Sequence, residues 1–263
     1  MVGELDLTGF ACLDTVNFSG TGIESVRLPS SLLILPEYAF YGSAIRELYL
    51  SEGLTVIEPY AFAYCEDLKA VALPESVARI GDGAFYGCSS LRDAVFLGDA
   101  PLEAGEDVFC GTDPEFSITC FADTAWTAEE PLLMQYLSTV VTDDTVLILD
   151  PDVTLYTDDT FGPLNQYCGH DITVTLVTRK EALEGACWLA VYNDQGRLVS
   201  TQLKQVSQGS GMALCTFDDV EIQYTGAESC SFKTFLVDPA ASAGPISDSL
   251  DCVLTKPVAD EEA

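Results

Sequence analysis

Between Ile23 and Leu97 the chain repeats nearly the same pattern three times: IESVRLPSSLLILPEYAFYGSA, IRELYLSEGLTVIEPYAFAYCED and LKAVALPESVARIGDGAFYGCSS. An Ala-Phe pair falls at Ala39-Phe40, Ala61-Phe62 and Ala84-Phe85, and a decayed Val108-Phe109 follows, at offsets of 22, 23 and 24 residues. A fixed period of this size marks a solenoid. One repeat cannot bury its apolar face alone and must stack on a neighbour.

Each rung carries an apolar triplet: Ile23, Val26, Leu28; then Ile45, Leu48, Leu50; then Leu68, Val71, Leu73. The last two members alternate, as a short strand with one buried face requires. Pro29 and Pro74 follow, where a missing amide hydrogen ends pairing. Leu35, Ile57 and Ile80 recur four residues before each Ala and extend the inner face. Three residues after each Phe stand Ser43, Cys65, Cys88 and Thr112, a slot for small, weakly polar side chains inside a turn. That interchange argues for reduced, buried thiols over a disulfide framework, although the chain holds ten cysteines. Cys187, Cys215, Cys230 and Cys252 lie in apolar runs and read the same way.

Stacked rungs make a parallel sheet whose outward residues line up between rungs. One row reads Asn17, Arg27, Tyr49, Ala72; the next reads Thr15, Ser25, Glu47, Ala70; a third reads Glu24, Arg46, Lys69, Arg92. Arg46, Lys69 and Arg92 would form a basic stripe, neutralised by carboxylates such as Glu47, Glu66 and Asp93 or offered to a partner. The candidate partner-binding face is therefore Arg27, Arg46, Glu47, Tyr49, Lys69 and Arg92. Both ends read as caps: a half-length rung with strand centres at Leu7, Phe18 and Leu28, and a closing segment with Phe116, Ile118 and Cys120, on which Trp126 packs.

The expected organisation is a mixed, β-rich chain. A solenoid over 1–130 precedes a linker with short strands over 131–165, an antiparallel β-sandwich over 166–258 and an acidic tail over 259–263. TDDTVLILDPDVTLYTDDTFGP supplies two short strand candidates inside acidic turns in the linker. From Asp171 the period becomes two, in ITVTLVT, ACWLAVYN, RLVSTQLK, MALCTFD, SCSFKTFLVD and SLDCVL, with Asn193–Gly196 as a hairpin turn. Such strands argue for a sandwich of immunoglobulin or fibronectin type. Trp188 and Phe235 are assigned to its core, and Tyr192 and Tyr224 are candidates for exposure.

The formal net charge of −31 repels phosphate backbones and anionic lipid, which disfavours nucleic-acid and membrane-surface binding. No apolar run approaches the ~20 residues a membrane helix needs. Met1-Val2-Gly3-Glu4 lacks the basic start and apolar stretch of a leader, so the chain reads as cytoplasmic or as a mature or engineered fragment. Catalytic motifs are weak: Cys168 and His170 form a C-x-H without an orienting group, and Gly209–Gly211 lacks the lysine of a phosphate loop. The acidic turns at Thr142–Thr145 and Thr157–Thr160 lack calcium-loop spacing. The expectation is no catalytic residue, no metal and no cofactor.

The string LPESVARIGDGAFYGCSSLRDAVFL (Leu73–Leu97) resembles the BspA-type leucine-rich repeat of bacterial surface proteins. Leu68, Val71, Leu73, Pro74, Val77, Ile80, Gly81, Ala84, Phe85, Cys88 and Leu91 fill that pattern. The rung from Ile45 departs from it with Ser51 for Pro and Glu58 for Gly. The resemblance implies a curved solenoid, an extracellular or cell-surface location with a leader removed, and adhesion or protein binding without catalysis. CWLAVYNDQGRLVSTQ with KTFLVD more faintly resembles fibronectin-like modules of extracellular bacterial proteins. The expected partner is a protein or glycan met by a monomer. A stalk, or a glycan-binding accessory module of a larger extracellular enzyme, are the alternatives.

Overall fold

The computed structural model describes residues 3–9, 17–126, 131–141, 146–156, 167–179, 183–193, 195–208, 211–223, 229–237 and 250–255. The chain divides into two compact units, Met1–Asp144 and Thr145–Ala263.

The first unit is built of short parallel strands: β1 (Gly3–Asp6), β2 (Ile23–Arg27), β3 (Ile34–Leu35), β4 (Glu47–Tyr49), β5 (Val56–Ile57), β6 (Ala70–Leu73), β7 (Arg79–Ile80), β8 (Asp93–Phe96), β9 (Glu103–Ala104) and β10 (Ser117–Phe121). The one-turn helix α1 (Pro131–Met134) and β11 (Leu137–Val141) complete it. One face carries β1-β2-β4 and β6-β8-β10-β11; a second carries β3-β5-β7-β9. Partner positions lie one repeat apart: Val26 against Leu48, Leu35 against Ile57, Ile57 against Ile80.

The apolar positions picked out by periodicity form the core. Val26, Leu28, Leu35, Ile45, Leu48, Ile57, Leu68, Val71, Leu73 and Ile80 are buried, while Ile23 and Leu50 pack on them partly buried. The phenylalanines make a continuous column: Phe18 on Phe40, Phe40 on Phe62, Phe62 on Phe85 and Phe85 on Phe109, with ring centroids 5.4, 5.5, 5.2 and 5.4 Å apart. Beside them a main-chain ladder runs through the turns, since the amides of Phe18, Phe40, Phe62 and Phe85 donate to the carbonyls of Ala39, Ala61, Ala84 and Val108.

The first unit differs from the sequence reading in several places. The first rung is full length, not a half-length cap. The Leu7 amide donates to Arg27 O as the Leu28 amide donates to Tyr49 O, and Phe18 heads the phenylalanine column in place of a strand centre. The outer strand ladder is also interrupted between β4 and β6. Ser43 and Ile45 are separated by Ala44, whereas Glu66 and Asp67 separate Cys65 from Leu68. This longer entry offsets β6 from its predecessor. At the far end β11 pairs in parallel on β10, so the segment read as linker contributes a strand to this unit and another to the next.

The Ser/Cys/Thr slot is a hydrogen-bonding site in the turn. Ser43 Oγ and Thr112 Oγ1 donate to the carbonyls of Phe40 and Phe109, at 2.5 and 3.0 Å. The longer-reaching thiols of Cys65 and Cys88 donate to Phe40 O and Phe62 O of the preceding rung, at 3.3 and 3.2 Å. The described cysteines Cys65, Cys88, Cys110, Cys120, Cys187 and Cys215 are free. Side chains of Cys12, Cys168, Cys230 and Cys252 lie outside the described residues. Gly81 sits where a Cβ would come 2.5 Å from the Pro59 nitrogen, so the rungs approach too closely there for a side chain.

The second unit has two antiparallel sheets made from β12 (Val146–Tyr156), β13 (Tyr167–Thr178), β14 (Leu183–Tyr192), β15 (Leu198–Gln208), β16 (Gly211–Gln223), β17 (Ser229–Val237) and β18 (Leu250–Thr255). The orders are β12-β13-β16 and β15-β14-β17-β18. Val146, Ile172, Val174 and Phe217 from one sheet share a cluster with Cys187, Leu189, Val191, Phe232 and Leu236 from the other. The two strand candidates before Tyr156 are one strand with a register shift between Leu149 and Asp152, around Pro151. Asn193 closes the expected hairpin: its Oδ1 accepts from the amides of Gln195 and Arg197, and Gly196 takes a φ of 70°.

Trp188 and Phe235 are not core residues. They face each other on the outward side of β14 and β17 with ring centroids 5.4 Å apart, and Trp188 is 38% exposed. The inward set is Cys187, Leu189 and Val191, one residue out of phase. Tyr192 is half-buried, and Tyr224 lies outside the described residues.

Burial pushes the Cys65 thiol up from 9.0 to about 11. The folded state thus holds this proton more tightly than the unfolded chain. Its contribution is intact below the unfolded pKa near 9 and is lost as pH climbs through 11, by roughly 2–3 kcal/mol at most. Cys65→Ser, which copies Ser43, is expected to fold normally and to flatten the decline of the thermal midpoint of the first unit between pH 9 and 11. Equal declines for the two proteins, followed by circular dichroism, would contradict this assignment.

Candidate functional site

On the strand face, Arg27 and Tyr49 are register partners on β2 and β4, and Ser25 faces Glu47. The Arg27 guanidinium lies 3.6 Å from the Tyr49 ring centroid and 4.0 Å from Glu4. An exposed cation–π contact of this kind contributes about 0.5–1 kcal/mol. Burial is the main cause that pushes the Tyr49 phenol up to about 12. Glu47 is half-buried, while Arg46, Lys69 and Arg92 are exposed.

The structure divides the expected stripe into two pairs. The Arg46 amide donates to Glu24 O and the Arg92 amide to Lys69 O, and the interruption between β4 and β6 falls between Arg46 and Lys69. Arg92 forms ion pairs with Asp113 and Glu115 of the next rung, at 3.4 and 3.2 Å. The row through Arg27 and Tyr49 ends as accessible surface there, because Ala72 is only 5% exposed. Trp126 packs edge-on against Phe96 at 4.8 Å, a cap contact as expected.

A second surface was not singled out from the sequence. It forms where the chain turns around the phenylalanine column. Tyr38 stacks on Tyr60 with centroids 5.4 Å apart and planes 6° from parallel. Beside them Tyr41, Tyr64 and Tyr86 form an edge-to-face series at 5.3 and 5.5 Å, and Tyr38 meets Tyr41 edge-on at 5.6 Å. These five rings, with Asp82, Glu106 and Asp107, line an open groove of about 450 Å³. Tyr38, Tyr41 and Tyr64 remain 40%, 36% and 40% exposed. Burial among these neighbours and the nearby Glu37 push the Tyr38 phenol upward. Asp82 Oδ1 also accepts from the Glu106 amide at 2.9 Å, which ties the acidic end of the groove together.

The backbone beneath the rings is left-handed. Tyr38, Tyr60 and Tyr64 have φ of 57°, 56° and 59°. Tyr38 and Tyr60 precede their phenylalanines by two residues, where the next rung has Gly83, at φ 56°. Tyr64 follows its phenylalanine by two residues, where sister rungs have Gly20, Gly42, Gly87 and Gly111, all at positive φ. Glycine adopts this conformation freely, whereas a residue with a Cβ loses about 1–2 kcal/mol. The Tyr60 ring occupies the space a side chain at Gly83 would need, with a Cβ there only 2.5 Å from Tyr60 Cε1.

Of the other sequence candidates, Cys168 and His170 lie on β13 with side chains outside the described residues, and Thr142–Thr145 and Thr157–Thr160 lie wholly outside them. Among the described residues no group of three or more His, Cys, Asp or Glu could hold a metal ion, and no helix is long and apolar enough to cross a membrane.

Tyr64→Gly removes left-handed strain but also two edge-to-face contacts, each worth about 0.5–1.5 kcal/mol. The two effects nearly cancel, so its thermal midpoint is expected within a few degrees of wild type. Phe62→Ala, which opens the buried column, should cost about 3–5 kcal/mol. A Tyr64→Gly loss as large as that of Phe62→Ala in chemical denaturation would show that the tyrosines are structural.

No curated protein and no solved structure matches the chain. Residues 11–114 match the family model of the BspA type leucine-rich repeat region, in six copies, and this stretch takes in the rungs that build both surfaces.

Proposed function

We propose that the chain is a non-enzymatic protein-binding module of a secreted or cell-surface bacterial protein, acting in adhesion through its solenoid. The observation that carries this reading is the groove of five tyrosines in two adjoining columns, with three of the rings at least 36% exposed. Aromatic side chains that supply large contact area with a polar tip are the residues around which protein interfaces concentrate their binding energy. The BspA-type match is consistent with protein–protein interaction, and the repeat class is typical of surface proteins. The second unit, with its first, second and fifth strands in one sheet, fits a fibronectin- or immunoglobulin-like spacer.

The strand face with Arg27, Arg46, Glu47, Tyr49, Lys69 and Arg92 is the weaker contact surface, because Arg27 and Arg92 already engage groups of their own chain. The protein acts as a monomer and uses no cofactor.

The test is capture of extracellular-matrix proteins and glycans on an array by the full chain. Wild type is expected to retain a protein partner; Tyr41→Ala/Tyr86→Ala should reduce capture at least tenfold, and Arg46→Glu/Lys69→Glu/Arg92→Glu should leave it within twofold. Loss confined to the charge-reversed variant would move the site to the strand face. A silent array with folded protein would favour a stalk.

A further inference from the structure

We infer that the tyrosine groove docks a lysine- or arginine-bearing peptide segment of a partner protein, with a cationic side chain seated among the rings and against Asp82, Glu106 and Asp107. This rests on the protein-binding reading above and specifies the chemistry of the partner. The lining joins five aromatic faces and edges to three exposed carboxylates and contains no lysine or arginine. Tyrosine faces attract cations through the ring quadrupole, and carboxylates accept charge-assisted hydrogen bonds from the same groups. The chain already makes this contact internally, with Arg27 on Tyr49 beside Glu4. The groove offers the same pairing of ring and carboxylate with the cation left to come from outside. A net charge of −31 raises the local concentration of basic segments and speeds their encounter.

The backbone strengthens the case for recognition over packing. Tyr60 and Tyr64 sit in left-handed conformations that Gly83 and Gly87 fill in the next rung, so the rung geometry is satisfied without them. Strain kept where a strain-free residue is already used next door is characteristic of binding sites. A neutral glycan would use the rings but has no need of three carboxylates, and an anionic one would be repelled by them.

The test is fluorescence anisotropy of a fluorescein-labelled hexa-arginine peptide with the full chain at about 150 mM salt, where exposed charges more than ~8 Å apart are screened. Tyr60→Gly/Tyr64→Gly leaves the net charge unchanged and copies sister rungs, so the variant is expected to fold, which a thermal melt checks. It should weaken binding at least tenfold, and Glu106→Gln/Asp107→Asn should do the same. The charge-matched control Glu66→Gln/Asp67→Asn, outside the groove, should change it less than twofold. Unchanged binding by the tyrosine variant, with equal losses for the two acid pairs, would reduce the effect to bulk charge and overturn the inference. Tighter binding of a neutral Gly-Ser peptide or a cello-oligosaccharide, lost in Tyr60→Gly/Tyr64→Gly, would also overturn it while leaving the groove as a binding site. Array capture that survives Tyr41→Ala/Tyr86→Ala would instead bring down the broader reading.

Discussion

The first unit depends on a match between two spacings. Parallel strands stand about 4.8 Å apart, and aromatic rings stack favourably with centroids about 4.5–7 Å apart. The column from Phe18 to Phe109 holds its rings at 5.2–5.5 Å, so one residue per rung stacks on its equivalents while the main chain beside it hydrogen-bonds from turn to turn. Small residues on either side make this possible. The alanines bring the turn close to the column; Ser43 and Thr112 bond phenylalanine carbonyls within their own turns, and Cys65 and Cys88 bond those of the preceding turn.

The same spacing is transmitted outward. Side chains near the column repeat at the rung distance, so tyrosines at neighbouring turns fall into contact as Tyr38 does with Tyr60 and Tyr64 with Tyr86. The groove is therefore a by-product of stacking that acquires chemistry from which residues occupy it. Glycine at these positions gives a relaxed backbone and a bare turn; tyrosine gives strain and an aromatic surface. On the strand face the spacing is less uniform, because the longer entry to β6 interrupts the ladder and separates Arg46 from Lys69.

Much of the buried framework was legible because its positions repeat: the apolar triplets, Ala-Phe and the Ser/Cys/Thr slot all recur in register. The first rung was misread because Asn17, not alanine, precedes Phe18, which hid its place in the column. In the second unit, both phases of ACWLAVYN are apolar, so alternation located a strand but could not tell that Leu189, and not Trp188, points inward. The groove escaped for a related reason. Its tyrosines occupy three different repeat positions, before and after the phenylalanines, and no alignment column contains them all. The available signal was the exchange of tyrosine with glycine at positions two residues either side of phenylalanine, where glycine marks a left-handed turn.

If stacked turns hold the solenoid together, their amides must be as well protected as those of its strands. Native-state hydrogen exchange resolved by residue measures this directly. The amides of Phe40, Phe62 and Phe85 are expected to exchange as slowly as those of Val26 and Val71, through one shared unfolding of the unit. Early exchange of the phenylalanine amides while the strand amides stay protected would contradict the account, and would place the stability of the solenoid in its strands alone.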